Sequence, residues 1–77
     1  MNIHQYQSVD IRGIRRFVAA FPTLPTRAAE EQVRTWCEEM FGKSTIWLHG
    51  VWEDRIRYGE VTFAKESNLA LFVMKWS

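Results

Sequence analysis

The chain has 77 residues, of which 47% are hydrophobic and 14% aromatic, and its formal net charge is +1. This length predicts one domain, and no apolar run in the sequence approaches the roughly 20 residues of a membrane span. The N-terminal residues lack the basic and apolar regions of a secretory signal, and a single Cys fits a reducing compartment. We therefore expect a cytoplasmic protein.

Charge is distributed unevenly along the chain. Residues 1–29 contain four arginines and one aspartate, whereas residues 30–66 contain eight acidic and five basic residues. A net charge of +1 is too small to predict a general phosphate-binding protein. A dipolar surface favours an oriented encounter with a partner, although charges that only solvate the outer faces would give the same pattern.

The N-terminal part of the sequence is ambiguous. We expect residues 1–10 to form an extended arm or a short edge strand. Residues 14–21 match a strand in which Phe17 and Phe21 share a face. A helix in which Ile11, Ile14, Val18 and Phe21 share a stripe, with Asp10 as its N-cap, fits equally well. The strand is the preferred interpretation of this segment.

A helix is predicted from about Arg27 to Phe41, because the apolar residues of this segment recur on one helical stripe. The stripe comprises Ala29, Val33, Trp36, Cys37, Met40 and Phe41. Thr26 is placed to cap the N-terminus of this helix, and Gly42 to follow its C-terminus.

A β-hairpin is predicted after this helix. Residues 45–49 alternate in polarity, residues 52–55 resemble a polar turn, and residues 55–58 alternate again before the apolar residues of 61–63. The apolar positions change from even to odd numbers across Gly59, and this change predicts a β-bulge near that glycine.

A second helix is predicted at the C-terminal end. Leu69, Phe72, Val73 and Trp76 fall on one helical stripe, which indicates that the core extends to the last turn. We therefore expect a complete small domain over residues 1–77. The order β-α-β-β-α predicts an α+β fold, a small two-layer sandwich with two helices packed on one face of a short antiparallel sheet.

The sequence carries no motif typical of catalysis or metal binding. Cys37 lies on the stripe of the first helix, where a cysteine behaves as a small core residue, and with His4 and His49 it lacks the paired spacing of a zinc site. Gly-rich phosphate loops and nucleophile motifs are missing from the sequence as well. We predict a non-enzymatic protein that needs no cofactor and no metal.

A binding surface is predicted on the hairpin. With Ile46 and Leu48 in the core, Trp47 would point to the face of the sheet that the helices leave uncovered. Trp, Tyr and Arg are enriched in binding hot spots. The predicted binding residues are Trp47, Trp52, Arg55, Arg57, Tyr58, Arg15 and Arg16. The alternative is that the N-terminal arm covers Trp47, which then only enlarges the core.

A protein partner is the preferred occupant of this surface, and a second copy of the chain, forming a homodimer, belongs to the same class. The alternative is single-stranded nucleic acid, because bases stack on exposed aromatic side chains at about 1–3 kcal/mol per base. Arg12, Arg15 and Arg16 could then contact phosphates. The small net charge favours the protein partner, and the sequence predicts no membrane association.

The part of the chain from residue 27 to residue 76 resembles small tailed-phage or prophage proteins. The resemblance rests on an aromatic strand end, a short charged link, a small residue and aromatics near the terminus. These are Phe63, Lys65, Glu66, Ala70, Phe72 and Trp76, together with an earlier helix that contains Trp36, Cys37 and Phe41. Where those proteins carry an Asp before the small residue, this chain has Ser67, Asn68 and Leu69.

The resemblance implies a phage-encoded protein in the cytoplasm of a bacterial host. Such proteins bind and redirect a host protein as inhibitors or adaptors, or take part in a replication or packaging complex. The resemblance supplies no catalytic residue.

Overall fold

In the computed structural model, residues 2–45 and 50–77 are described, and their elements follow the order ββαββα. The elements are β1 (His4–Val9), β2 (Arg15–Ala20), α1 (Arg27–Phe41), β3 (Trp52–Arg55), a 3-10 turn (Ile56–Tyr58), β4 (Glu60–Phe63) and α2 (Glu66–Trp76). The strands of the described ranges form one sheet in the order β1-β2-β4-β3, and each neighbouring pair is antiparallel. The predicted α+β fold is confirmed.

The N-terminal segment forms a β-hairpin. Within the segment 1–10, residues His4–Val9 form the edge strand β1, and β2 over Arg15–Ala20 confirms the strand interpretation of residues 14–21. Between the strands, the Asp10 carboxylate accepts hydrogen bonds of 2.9 Å from the backbone N–H groups of Ile14 and Arg12. These bonds, with the one from Ile14 as the main cause, hold the pKa of Asp10 below its ordinary value. Asp10 thus stabilises a turn and not the start of a helix.

The pairing register divides the sheet into two faces. Phe17 pairs with Phe63, and Phe63 pairs with Trp52, so these three side chains share one face. Both helices bury their apolar residues against this face. The alternate residues, such as Val18 and the Thr62 with which it pairs, point to the other side of the sheet. This confirms that the two described helices pack on one face.

Helix α1 begins and ends at the predicted residues. The Thr26 hydroxyl accepts a 3.2 Å hydrogen bond from the backbone N–H of Ala29. Gly42 follows the helix with a φ of 85°, and its N–H donates a 2.9 Å hydrogen bond to the carbonyl of Glu38. A glycine is favoured there because other residues adopt this left-handed conformation at an energetic cost.

An aromatic cluster joins the helices to the sheet. The ring centroid of Phe63 lies 5.3 Å from that of Phe41 in α1 and 5.5 Å from that of Phe72 in α2. Trp36 of α1 contacts Phe72 and Trp76 at 6.1 Å each. Tilted and edge-to-face pairs of this kind stabilise a fold by about 0.5–1.5 kcal/mol each beyond their buried area.

Helix α2 packs through the predicted stripe. Leu69 and Phe72 are buried, and Val73 and Trp76 are half-buried against the same core. Met74, on the outer side of the helix, is 80% exposed. The amphipathic spacing therefore identified the inward side of this helix correctly.

The segment before β4 differs from the prediction. Residues 52–55, predicted as a polar turn, form strand β3, and residues 56–58, predicted as part of a strand, form the 3-10 turn. The prediction was wrong because it took charged residues as a sign of a turn. In β3 the buried Trp52 faces the core, whereas Glu53 and Arg55 alternate onto the opposite side, which is the pattern of a strand with one polar face.

Gly59 ends the 3-10 turn and is not part of a β-bulge. It has a φ of 87°, its N–H donates to the carbonyl of Ile56 at 2.9 Å, and its carbonyl accepts the N–H of Phe21 at 2.7 Å. The turn, in which Ile56 is buried, produces the change of apolar positions that predicted the bulge. Of the strand predicted over 45–49, residues 46–49 lie outside the described residues, and Thr45 belongs to no strand.

The aromatic cluster leads to a prediction about stability. We expect Phe72→Ala to lower the free energy of unfolding by about 3–5 kcal/mol, because it leaves a cavity between both helices and the sheet. Met74→Ala, on the exposed side of the same helix, should change it by less than about 0.5 kcal/mol. Urea unfolding followed by tryptophan fluorescence measures both values, and equal effects of the two substitutions would contradict the predicted core.

Candidate binding face

The side of the sheet opposite the helices carries charged and hydroxyl side chains from all the described strands. We call this side the polar face; it comprises His4, Tyr6, Ser8, Arg16, Val18, Ala20, Glu53, Arg55, Glu60 and Thr62. A cleft of about 120 Å³ opens on the polar face. Because ligands bind in concave sites with a few placed polar groups, this cleft is the candidate site.

A network of hydrogen bonds and ion pairs crosses one side of the cleft. The Tyr6 hydroxyl donates to Glu60 Oε2 at 2.9 Å, and Arg55 Nε lies 3.1 Å from Glu60 Oε1. Arg55 Nη1 also donates to Glu53 Oε1 at 3.2 Å. The network therefore links β1, β4 and β3. It fixes the orientation of both glutamates in the cleft.

The hydrogen bond from Tyr6 to Glu60 also affects the titration of Tyr6. It raises the pKa of the Tyr6 phenol above its ordinary value, with smaller contributions from partial burial and from the negative charge of Glu60. Tyr6 is 46% exposed, so its ring is accessible at the edge of the cleft.

Two buried polar atoms in the cleft lack partners. Arg16 is 5% exposed and Glu53 is 7% exposed, and neither Arg16 Nε nor Glu53 Oε2 makes a hydrogen bond within the described part of the chain. An unsatisfied buried donor or acceptor costs about 1–3 kcal/mol, and more when the group is charged. Such atoms are rare in native proteins, and each one calls for a physical explanation.

Three of the predicted binding residues come together at the β3–β4 turn. Arg55 ends β3, and its Cζ lies 5.8 Å from the centroid of the Tyr58 ring. Tyr58 is 75% exposed and Arg57 beside it is also exposed. Arg16 lines the same cleft as Arg55. The structure thus groups Arg16, Arg55, Arg57 and Tyr58 on and beside the polar face.

Trp52 does not belong to this group. Its side chain is 1% exposed in the core, and its Nε1 donates a 2.7 Å hydrogen bond to the carbonyl of Gly42. Its prediction as an exposed contact residue is therefore incompatible with the structure; the residue was taken for part of a turn when it is the inward residue of β3. Arg15 is exposed, but it pairs with Val9 at the end of β2 remote from the β3–β4 turn. Trp47 lies outside the described residues.

The sequence did not identify Tyr6 and Ser8 of β1, or the two glutamates Glu53 and Glu60, as residues of this site. Tyr6 and Ser8 belong to the cleft because β1 pairs with β2, and Glu60 belongs to it because β4 lies between β2 and β3. A signal was present in the alternation of Glu53 and Arg55, opposite charges two residues apart that share one face of a strand.

Metal ligands, the cysteine and the helices were compared with the requirements of metal sites, reactive thiols and membrane spans. Residues 2–45 and 50–77 contain no group of three His, Cys, Asp or Glu that could hold a metal ion. Cys37 is fully buried, and burial raises the pKa of its thiol to about 12, so the reactive thiolate is scarce at neutral pH. Neither of the described helices has the length and apolar character needed to span a membrane.

Comparisons with known proteins supply no template for the polar face. No protein-family model, curated protein or solved structure matches this chain. Its function is therefore inferred from the side chains of the face and from the turn beside it.

The titration of Tyr6 provides a test of the network. In a Tyr58→Phe background, Tyr6 is the remaining tyrosine, and we expect its pKa to fall when Glu60→Gln is added, because the hydrogen bond to a carboxylate is lost together with the negative charge that opposes the phenolate. The folded pKa is raised, so the stabilisation from this bond is present below the ordinary pKa of tyrosine and is lost as pH rises through the raised value. Phenolate absorbance measures both pKa values, and an unchanged value would show that Glu60 does not hold Tyr6.

Proposed function

We propose that this protein is a non-enzymatic binding domain that engages a protein partner through the polar face and the adjoining β3–β4 turn. The resemblance of its C-terminal part to tailed-phage proteins suggests that it is phage-encoded. On this proposal it works in the cytoplasm of a bacterial host, as an inhibitor or an adaptor of a host or phage protein.

The observation that carries the proposal is the pairing of Arg55 with the exposed ring of Tyr58 beside a concave polar surface. An exposed aromatic held by an arginine loses little conformational freedom on binding, and such residues dominate interface energies. Arg57 adds an exposed positive charge at the same turn. Tyr58 and Arg57 serve as anchors that contact the partner. Arg55, which pairs with Glu53 and Glu60, packs against the Tyr58 ring.

A protein partner fits the charge of this surface better than nucleic acid does. Arg16 and Arg55 are balanced in the cleft by Glu53 and Glu60, so the cleft gives phosphates no net attraction. The alternative function, binding of single-stranded nucleic acid, is favoured by the exposed ring of Tyr6 on the sheet, where a base could stack. A second copy of the chain is one possible protein partner, since association would cover the aromatic turn of a small domain.

The proposal is tested by affinity capture from a bacterial lysate with matched variants. We expect Arg57→Ala/Tyr58→Ala to lose the proteins that the unmodified chain retains, because it removes the anchors at the turn. Arg27→Ala/Met74→Ala removes the same classes of exposed residue from the helices and should retain them. Nuclease treatment of the lysate should leave capture unchanged.

Two results would contradict the proposal. Equal capture by the two double variants would remove the turn from the interface. Capture that disappears after nuclease treatment would support the nucleic-acid alternative. Light scattering of the purified chain separates a partner from a second copy, because self-association would double the measured mass.

A further inference from the structure

We propose that the cleft on the polar face binds the carboxamide group of an Asn or Gln side chain presented by a protein partner. This inference rests on the proposed function and names the group that the partner inserts. It is carried by two buried atoms, Arg16 Nε and Glu53 Oε2, that have no hydrogen-bond partner among residues 2–45 and 50–77.

The strand register places these two residues around one depression. Tyr6, Val18, Thr62 and Glu53 form a row across the sheet, since each pairs with the next on the neighbouring strand. Arg16 lies two residues before Val18 on the same face, so it flanks this row. Val18 is 3% exposed and provides an apolar floor between the polar groups. All five residues line the cleft.

The two atoms without partners have opposite hydrogen-bonding requirements. Arg16 Nε can only donate, and an ionised Glu53 Oε2 can only accept. A carboxamide satisfies both at once, because its oxygen accepts from the arginine and its NH₂ group donates to the carboxylate. The oxygen and nitrogen of a carboxamide lie on one carbon and point in different directions, so a single group offers an acceptor on one side and a donor on the other.

Charged groups suit the cleft less well. A carboxylate would satisfy Arg16 but would be repelled by Glu53 and Glu60, and an ammonium group would satisfy Glu53 but would be repelled by Arg16 and Arg55. The balanced charges therefore select a neutral group that carries both a donor and an acceptor. The arrangement also discriminates strongly, because a ligand without the amide leaves both buried atoms unsatisfied.

The size of the cleft favours a side chain over a larger ligand. Its volume of about 120 Å³ lies well below the roughly 300–1,000 Å³ of sites for drug-sized molecules and cofactors. A nucleobase edge also offers a donor next to an acceptor. The phosphates of a nucleotide, however, would gain no net attraction from a cleft in which two glutamates balance two arginines. The carboxamide of a protein side chain is the occupant to which both size and charge point.

The experiment uses the isolated full chain and a probe that carries only the proposed group. The Arg16 Nε–H resonance is followed by NMR while N-acetyl-glutamine methylamide is added. N-acetyl-methionine methylamide is the matched control, because it has the same backbone amides and a side chain of similar length without the carboxamide. We expect the glutamine probe to shift the resonance to saturation, and the methionine probe to leave it in place.

Matched substitutions assign the binding to the two atoms without partners. Glu53→Gln should lower the affinity for the glutamine probe by about tenfold or more, since it replaces the free acceptor with a group that can donate. Glu60→Gln removes the same charge from a residue whose oxygens already contact Tyr6 and Arg55, and should weaken it by less than about threefold. If Glu53→Gln does not fold, Arg16→Lys with Arg27→Lys as its control, at an exposed arginine of α1 outside the cleft, gives the same comparison, with backbone amide shifts as the readout.

Several results would overturn the inference. These are no shift with the glutamine probe, equal shifts with the two probes, and equal losses for Glu53→Gln and Glu60→Gln. Tighter binding of cytidine than of the glutamine probe would assign the cleft to a nucleobase. Failure of the carboxamide inference leaves the anchors at Arg57 and Tyr58 to be judged by affinity capture, so the two proposals fail separately.

Discussion

The structure depends on the burial of Phe63 between the sheet and both helices. Phe63 pairs with Phe17 and Trp52 on its neighbouring strands, and its ring packs against Phe41 of α1 and Phe72 of α2. A 77-residue chain has little surface to bury, and this arrangement concentrates its large aromatic side chains in one layer. Because the described helices occupy the same side of the sheet, the other side, the polar face, takes no part in this core.

The side chains of the polar face indicate what this side of the sheet does. If the polar face only contacted solvent, its charged side chains would be exposed, as charged residues ordinarily are. Instead, Arg16 and Glu53 are almost completely buried on it, and each has one polar atom that forms no hydrogen bond with the part of the chain that the structure describes. Buried atoms of this kind lower stability, and proteins keep such features mainly at functional sites. The core thus supplies the stability that offsets the cost of these unsatisfied atoms.

The sequence predicted the parts of the fold that depend on local periodicity. Helix α1 had an apolar stripe with Thr26 and Gly42 at its ends, and α2 had Leu69 and Phe72 at helical spacing, so both could be placed. Strand β3 could not be placed, because charge alternation in Glu53 and Arg55 looks like a turn until Phe63 is known to pair with Trp52. Because residues 52–55 were predicted to be a turn and not a strand, Trp52 was predicted to lie on the binding surface.

The candidate site was less predictable than the fold. Arg55, Arg57 and Tyr58 were found because they are close in sequence, and the structure keeps them at one turn. The relation of Arg16 to Glu53 spans two strand pairings, and neither residue type is ordinarily buried. Only the register of the whole sheet brings a donor and an acceptor into one cleft.

From the burial of Arg16 and Glu53 we infer that these two residues are kept for binding and not for folding. The most direct measurement is the free energy of unfolding of an Arg16→Met/Glu53→Met variant, obtained by urea unfolding. Methionine at both positions removes the unsatisfied atoms and keeps an unbranched apolar side chain there, and Arg55 keeps Glu60 as its partner, so we predict a variant at least as stable as the unmodified chain. A loss of more than about 2 kcal/mol would show instead that these side chains hold the fold together.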